Sequence, residues 1–266
     1  MNAMRNCTLG RKVKSCIYPI LLLFTAQPLS ALNREIPTLT SVHLHSAVVG
    51  YAQSALDTDY GAVMTSAQFT DVSATDGSIA LSAIIPVAGD GVDASYSVEI
   101  QILDNAGRTT ESDYMWNGSA WEDANTGATV DDVSIAAGQG LWVASYVGEP
   151  VGLQTAGKVP TSDLSVALDT DYGAVAVGNS FPTSVALSDI LPVTTEGVDT
   201  AYSVEIQILD NAGRTTESDY MWNGSAWEDA NTGSIVEEVS IPAGQGLWVA
   251  NYTGEAVSLY IPAPEL

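Results

Sequence analysis

The chain is 266 residues long, and its 8 Lys+Arg stand against 32 Asp+Glu for a formal net charge of −24. Nucleic-acid phosphates and anionic membranes are bound through clustered Lys and Arg, so this acidic balance argues against both as partners of the folded protein. The only cysteines, Cys7 and Cys16, lie near the start, which leaves the rest of the chain without thiol nucleophiles, thiolate metal sites or disulfides.

Residues 1–31 have the layout of a secretory signal peptide. "MNAMRNCTLGRKVKSC" carries Arg5, Arg11, Lys12 and Lys14 with no acid, "IYPILLLFTA" is apolar, and "QPLSA" ends in small residues. The apolar run is too short to span a bilayer as a mature helix, and cleavage is expected near Ala31. Cys16 follows Val13, Lys14 and Ser15, which is not the small-residue setting of a bacterial lipoprotein cysteine. Cleavage removes four of the eight bases and no acid, so the mature protein keeps four bases against 32 acids, a net charge of −28. Such a surface suits solubility in salty water or the capture of cations, the solvated acidic shell being the plainer reading. The mature protein is expected to be secreted, extracellular or at the cell surface, with no membrane-embedded part.

Residues 32–47 read as an N-terminal linker holding His43 and His45. Two histidines near a terminus are more often incidental than a metal clip. The next feature, "LDTDYG", occurs at Leu56 to Gly61 and at Leu168 to Gly173. Asp57 and Asp59, and again Asp169 and Asp171, have the opening spacing of an oxygen-ligand calcium loop. The bidentate Glu expected at the twelfth position is replaced by Gln68. A turn in which the Asp side chains bond their own backbone is therefore preferred, with Ca2+ the one cofactor left open and no other implied.

The segments that follow have a period of two. "YSVEIQIL" sets Tyr96, Val98, Ile100 and Ile102 on one face and Ser97, Glu99 and Gln101 on the other, which predicts a half-buried antiparallel strand. "LDNAGRT" supplies turn residues, and "TTESDYMW" opens the next strand. In "YMWNGSAWED" a two-residue turn at Asn117-Gly118 pairs Trp116 with Ser119 and Tyr114 with Trp121, placing Tyr114, Trp116 and Trp121 on one face. Those rings are either the inside of a domain or a platform for stacking on sugars. The interior has the stronger claim, because a domain with few Phe and no disulfide needs the apolar burial that aromatic rings provide. The "NGS" sequon at Asn117 is more simply read as a turn. "VSIAAGQGLWVASY" reads as strand, Gly-rich turn, strand, and "AGKVPTSD" at Ala156 to Asp163 as a breaker of strands and helices.

The chain then repeats itself. Tyr96 to Gly127 recurs letter for letter from Tyr202 to Gly233, so Tyr220, Trp222 and Trp227 duplicate Tyr114, Trp116 and Trp121. The upstream stretch "ALDTDYGAV" recurs at a larger offset, because the first copy holds six more residues in the loop "MTSAQFTDVSATDG". Two tandem domains of about a hundred residues each are expected, at 48–157 and 158–266. With no helical stripe in the mature chain, the fold class is all-β, two tandem antiparallel β-sandwich-like domains.

The aromatic hairpin "YMWNGSAWED", the following "IAAGQGLWV" and the closing strand "VGLQTAGKV" resemble uncharacterised repeat domains of secreted and cell-surface bacterial proteins. The resemblance covers most of each repeat and implies an extracellular β-rich module with no activity to carry over. Enzyme chemistry finds little support beside it. Both histidines precede the repeats, so Ser–His or Cys–His arrangements are not available within them. Carboxylates are too plentiful for any pair to stand out, and "AGQG" precedes a strand where a phosphate cradle needs a helix. The expected function is a non-enzymatic structural or adhesive protein of the cell surface or extracellular matrix. The alternatives are a carbohydrate-binding module using the hairpin tryptophans and a calcium-dependent matrix protein; polysaccharide or other surface proteins are the expected partners.

Overall fold

The computed structural model describes residues 49–58, 62–71, 74, 77–89, 91–94, 96–103, 109–209 and 215–265. The proposed signal peptide and linker, His43, His45, Asp59 and the "DNAGR" turns fall outside them. The described chain is all-β, apart from two single 3-10 turns at Leu81–Ala83 and Leu187–Asp189.

The first repeat contains β1 (Val49–Ala55), β2 (Ala62–Ser66), β3 (Ile79–Ala80), β4 (Ile84–Ala88), β5 (Gly91–Val92), β6 (Val98–Leu103), β7 (Thr109–Trp116), β8 (Trp121–Asp123), β9 (Ser134–Ile135), β10 (Gly140–Ser145) and β11 (Val151–Lys158). The second runs β12 (Leu164–Ala167), β13 (Ala174–Gly178), β14 (Val185–Ala186), β15 (Leu191–Thr194), β16 (Gly197–Val198), β17 (Val204–Leu209), β18 (Thr215–Trp222), β19 (Trp227–Asp229), β20 (Ser240–Ile241), β21 (Gly246–Asn251) and β22 (Ser258–Ile261). Each repeat is two antiparallel sheets with a short third ribbon. The first has β1-β11-β4-β5 and β2-β10-β6-β7-β8 with β3-β9; the second has β12-β22-β15-β16 and β13-β21-β17-β18-β19 with β14-β20.

Alternating side chains fill the space within each repeat. Val98, Ile100, Leu141 and Val143 from the larger sheet join Ile84, Val151 and Leu153 from the smaller one in a single apolar cluster, and Val204, Ile206, Leu247 and Val249 do the same with Ile190, Leu259 and Ile261. Tyr96 does not join this face. It lies before β6, is exposed, and donates its hydroxyl to Glu122 Oε2 at 3.0 Å. Past Gln101 the pairing of β6 with β7 shifts at a bulge, and Leu103 is buried in a separate cluster with Met64 and Ala176.

The stretch expected to break secondary structure begins inside a strand. β11 continues through Ala156 and Gly157 to Lys158, because Thr70 and Lys158 exchange backbone hydrogen bonds of 2.8 and 3.0 Å across its end. Gly157 permits that approach, since a Cβ there would lie 2.3 Å from the Thr70 carbonyl oxygen. Lys158 thus belongs to the last strand of the first repeat, and the connection is Val159 to Asp163.

The repeats meet through a reciprocal exchange. The turn before β10 reaches the edge of β13, where Gly178 N–H donates to the Gly138 carbonyl at 2.8 Å; the turn before β21 reaches the edge of β2, where Ser66 N–H donates to the Gly244 carbonyl at 3.1 Å. Gly138 N–H also donates to Ser180 Oγ (2.9 Å), and Thr65 Oγ1 to the Gly244 carbonyl (2.7 Å). Sheet edges left open invite unwanted pairing, and here each repeat covers part of the other's. Contact is close because glycines line it: a Cβ on Gly140 would lie 2.8 Å from Ala176, and one on Gly246 would lie 2.2 Å from Met64 Cγ.

Candidate functional site

The hairpin tryptophans are interior. Trp116 and Trp222 are 2 % exposed, Trp121 and Trp227 1 %, and Tyr114 and Tyr220 are buried beside them. The Trp116 indole N–H donates to the Asp93 carbonyl (2.7 Å) and that of Trp121 to the Ile84 carbonyl (2.8 Å). Trp222 and Trp227 repeat this with Asp199 (2.7 Å) and Ile190 (2.8 Å). Each pair meets edge-to-face at 64°, with ring centroids 5.3 Å apart in the first repeat and 5.4 Å in the second. No face of these rings is offered to a sugar: Tyr114, Trp116, Trp121, Tyr220, Trp222 and Trp227 are core, the reading the sequence favoured, and the alternative of a stacking platform at these six residues is set aside.

The three aromatics of each hairpin share one face as expected, but the register differs. Trp116 pairs with Trp121 and Tyr114 with Asp123. The turn holds four residues, because Asn117 Oδ1 accepts both the Ser119 and the Ala120 N–H at 2.9 Å and Asn117 N–H closes on the Ala120 carbonyl at 3.0 Å. Gly118 is required twice over: its φ is +95°, and a Cβ would lie 2.6 Å from the Ala94 carbonyl oxygen.

The acidic turn of the second repeat is an Asx turn, with Asp169 Oδ1 accepting the Asp171 N–H at 2.9 Å. Asp57, its counterpart in the first repeat, is partly buried and Asp171 is exposed. Among the described residues no three His, Cys, Asp or Glu side chains converge as a metal-binding group.

The exposed chemistry lies instead on the outer face of the larger sheet. In "GLWVA" Trp142 is out of phase with the buried Leu141 and Val143, and this alternation is the signal by which it could have been singled out. Cross-strand rows run Met64, Trp142, Gln101, Asp113 and Ala62, Ala144, Glu99, Met115. In the second repeat they run Ala176, Trp248, Gln207, Asp219 and Ala174, Ala250, Glu205, Met221. Gln207 Nε2 donates to Glu205 Oε1 (3.1 Å) while the Tyr252 hydroxyl donates to Glu205 Oε2. Glu99 is held in the same way by Gln101 (2.9 Å) and Tyr146.

In the second repeat this face encloses an open hollow of about 170 Å³. Ala174 and Ala250, paired across β13 and β21, leave the space; Trp248, Tyr252 and Tyr172 border it, and Glu205 and Gln207 supply its polar side. Tyr172 stands in the left-handed region with φ 62°, the one non-glycine residue with positive φ among those described. Its hydroxyl lies where a Cβ on Gly254 would be 2.8 Å away.

The electrostatics are one-signed. The Glu205 hydrogen bond, burial and the negative charges of Glu205 and Asp219 push the Tyr252 phenol up to about 12. Burial, then Glu205 and Asp229, raise the Asp219 carboxyl above its ordinary value, and its Oδ1 is buried without a hydrogen-bond partner. Burial, Glu99 and Asp113 act likewise on Tyr146, also pushed up to about 12.

Residues 152–222 match the family model described as a Bacterial Ig-like domain. The match begins in β11, ends at Trp222 of β18, and covers about a quarter of the chain. Its final part, Tyr202 to Trp222, is repeated letter for letter at Tyr96 to Trp116. It fits the β-sandwich architecture, in a class of domain that is generally non-catalytic and often surface-exposed. No curated protein and no solved structure matches the chain. No helix among the described residues is long and apolar enough to cross a membrane.

Proposed function

We propose that this is a secreted, non-enzymatic structural or adhesive protein of the cell surface or extracellular matrix, in which two Ig-like sandwiches present one aromatic and acidic face twice. The observation that carries this reading is the duplicated face itself. Trp142, Glu99, Gln101 and Tyr146 recur as Trp248, Glu205, Gln207 and Tyr252 with the same register and the same hydrogen bonds. Two weak contacts on linked modules bind far more tightly than either alone, and the reciprocal turns hold the modules together. The acidic charge, the apparent leader and the match to a Bacterial Ig-like domain support an extracellular setting.

A polysaccharide partner is the second reading, favoured by the partial exposure of Trp142 and Trp248. Stacking on a sugar must use these two rings, since the hairpin rings are enclosed. Fractionation of producing cells, followed by retention of the purified protein on isolated cell envelopes, tests the proposal. The protein is expected in the extracellular or envelope fraction, with retention reduced in Trp142→Ala/Trp248→Ala. Confinement to the cytoplasm, or no retention of the parent, would overturn it.

A further inference from the structure

We infer that the outer-face hollow of the second repeat binds an organic ammonium group, the positively charged end of an alkylamine or of a quaternary amine. This rests on the reading of that face as the contact surface and names the chemistry it selects.

Three observations converge on a cation. The first is the rings: Trp248, Tyr252 and Tyr172 all border the hollow, and the small side chains of Ala174 and Ala250 leave it open. Aromatic faces carry the negative part of the ring quadrupole, and a tetrahedral ammonium among several rings is a recurrent way to use it. A flat sugar ring asks for one broad exposed platform, whereas Trp248 is partly buried against Met64 and Ala176.

The second is the fixed carboxylate. Glu205 is held by Gln207 through one oxygen and by Tyr252 through the other, so it enters the site already oriented, and Glu99 is held identically. Each carboxylate oxygen has more than one acceptor site, so a primary ammonium can donate a further bond, and a quaternary one make a charge contact, without displacing either partner. Among the described residues no Lys or Arg lines the hollow, and Asp219 lies two strands from Trp248 in the same row. Like charges gathered without a counter-charge make a field that admits cations and rejects anions.

The third is Tyr172. An aromatic residue in the left-handed region is a genuine outlier that must be held by its surroundings, and such strain gathers at ligand sites. Here it sets the ring at the rim, over Gly254.

The test titrates the full-length protein with tetramethylammonium and, separately, with N-acetyl-lysinamide, by calorimetry and tryptophan fluorescence at constant ionic strength. The neutral control is 3,3-dimethylbutanol, which has the shape of choline without its charge. Binding of either cation in the millimolar range, with none of the neutral isostere, is expected; the two cations separate a quaternary from a primary amine ligand. Glu99→Gln/Glu205→Gln should weaken binding about tenfold, and Trp142→Ala/Trp248→Ala should abolish it. If the tryptophan variant melts early, Tyr146→Phe/Tyr252→Phe, which frees the carboxylate from its tyrosine, must still change the affinity. Equal binding of the neutral isostere, or unchanged affinity in the glutamine variant, would overturn the inference. Lost ammonium binding with envelope retention intact removes this inference alone; ammonium binding without retention removes the adhesive reading alone.

Discussion

Ser66 and Gly178 end equivalent strands of the two repeats and meet at the contact between them, so close that a Cβ on Gly178 would lie 2.1 Å from the Ser66 Cβ. Gly178→Ala therefore cannot be accommodated without moving one repeat against the other. The expected result is a lower melting temperature and faster proteolysis of the connection Val159 to Asp163. Ser66→Gly in the same chain should restore most of the loss, because the nearest remaining Ser66 atom to that Cβ is Cα at 3.3 Å. A double variant no better than Gly178→Ala would show that the two positions are not coupled in solution.

We propose that each repeat is also a domain that folds alone. Every buried residue of each main cluster comes from its own repeat, and only the partly buried Ala137 of the first packs against the second core. Residues 159–266, which leave Lys158 with its own sheet, should give a soluble β-rich protein with a cooperative melt, less stable than the same repeat in the whole chain because Ala176 and Trp248 lose their cover. A non-cooperative product would mean that the repeats share one folding unit.

Trp116→Ala and Trp222→Ala each remove a buried indole, its hydrogen bond and its edge-to-face partner. The expected cost is about 3 to 5 kcal/mol in the repeat concerned, read by denaturant unfolding. Each variant should lose stability and no affinity for any polysaccharide; a variant that unfolds like the parent would mean the ring is not enclosed.

Which parts of this arrangement were legible in the sequence follows from which physics is local. The period of two gave the strands and the shared face of Tyr114, Trp116 and Trp121, since side-chain alternation needs no partner to be named. The hairpin register was not legible, because it turns on Asn117 bonding Ser119 and Ala120 in a four-residue turn. The same alternation set Trp142 opposite to Leu141 and Val143, yet only the pairing of β2, β6 and β10 brings Met64 and Gln101 beside it and sets Glu99, bound by Tyr146, in the next row. The glycines of "AGQG" read as a turn, and their second role, letting that turn dock on β13, exists only once two repeats are assembled.

Asp113 and Asp219 are expected to limit stability at neutral pH. Each has a carboxyl oxygen buried without a hydrogen-bond partner, and burial followed by the neighbouring Glu99 or Glu205 raises its folded-state pKa. A raised carboxyl favours the fold only while it is protonated, so stability falls as pH rises through the folded-state value. Asp113→Asn and Asp219→Asn should raise the melting temperature at pH 7, with the gain shrinking in acid. If ammonium binding draws on this charge, Asp219→Asn will bind the cation less well while melting later, a combination that a purely structural aspartate would not produce.

Tyr146 and Tyr252 carry the alkaline counterpart. Burial and the Glu99 hydrogen bond push the Tyr146 phenol up to about 12, and the Glu205 hydrogen bond and burial do the same for Tyr252. In the unfolded chain both phenols ionise near their ordinary value of 10.0. Between these values the unfolded state has released protons that the folded state still holds, so the contribution is fully present below pH 10 and is lost as pH climbs toward 12. Parent melting temperatures should therefore drop faster across that window than those of Tyr146→Phe/Tyr252→Phe, which cannot ionise there. Spectroscopic titration gives an independent reading: the difference in phenolate absorbance between parent and variant should be centred well above pH 10. A difference curve centred at the ordinary tyrosine value would mean that neither hydroxyl is bound to its glutamate in solution, and with that the orientation of Glu99 and Glu205 on the outer face would be lost as well.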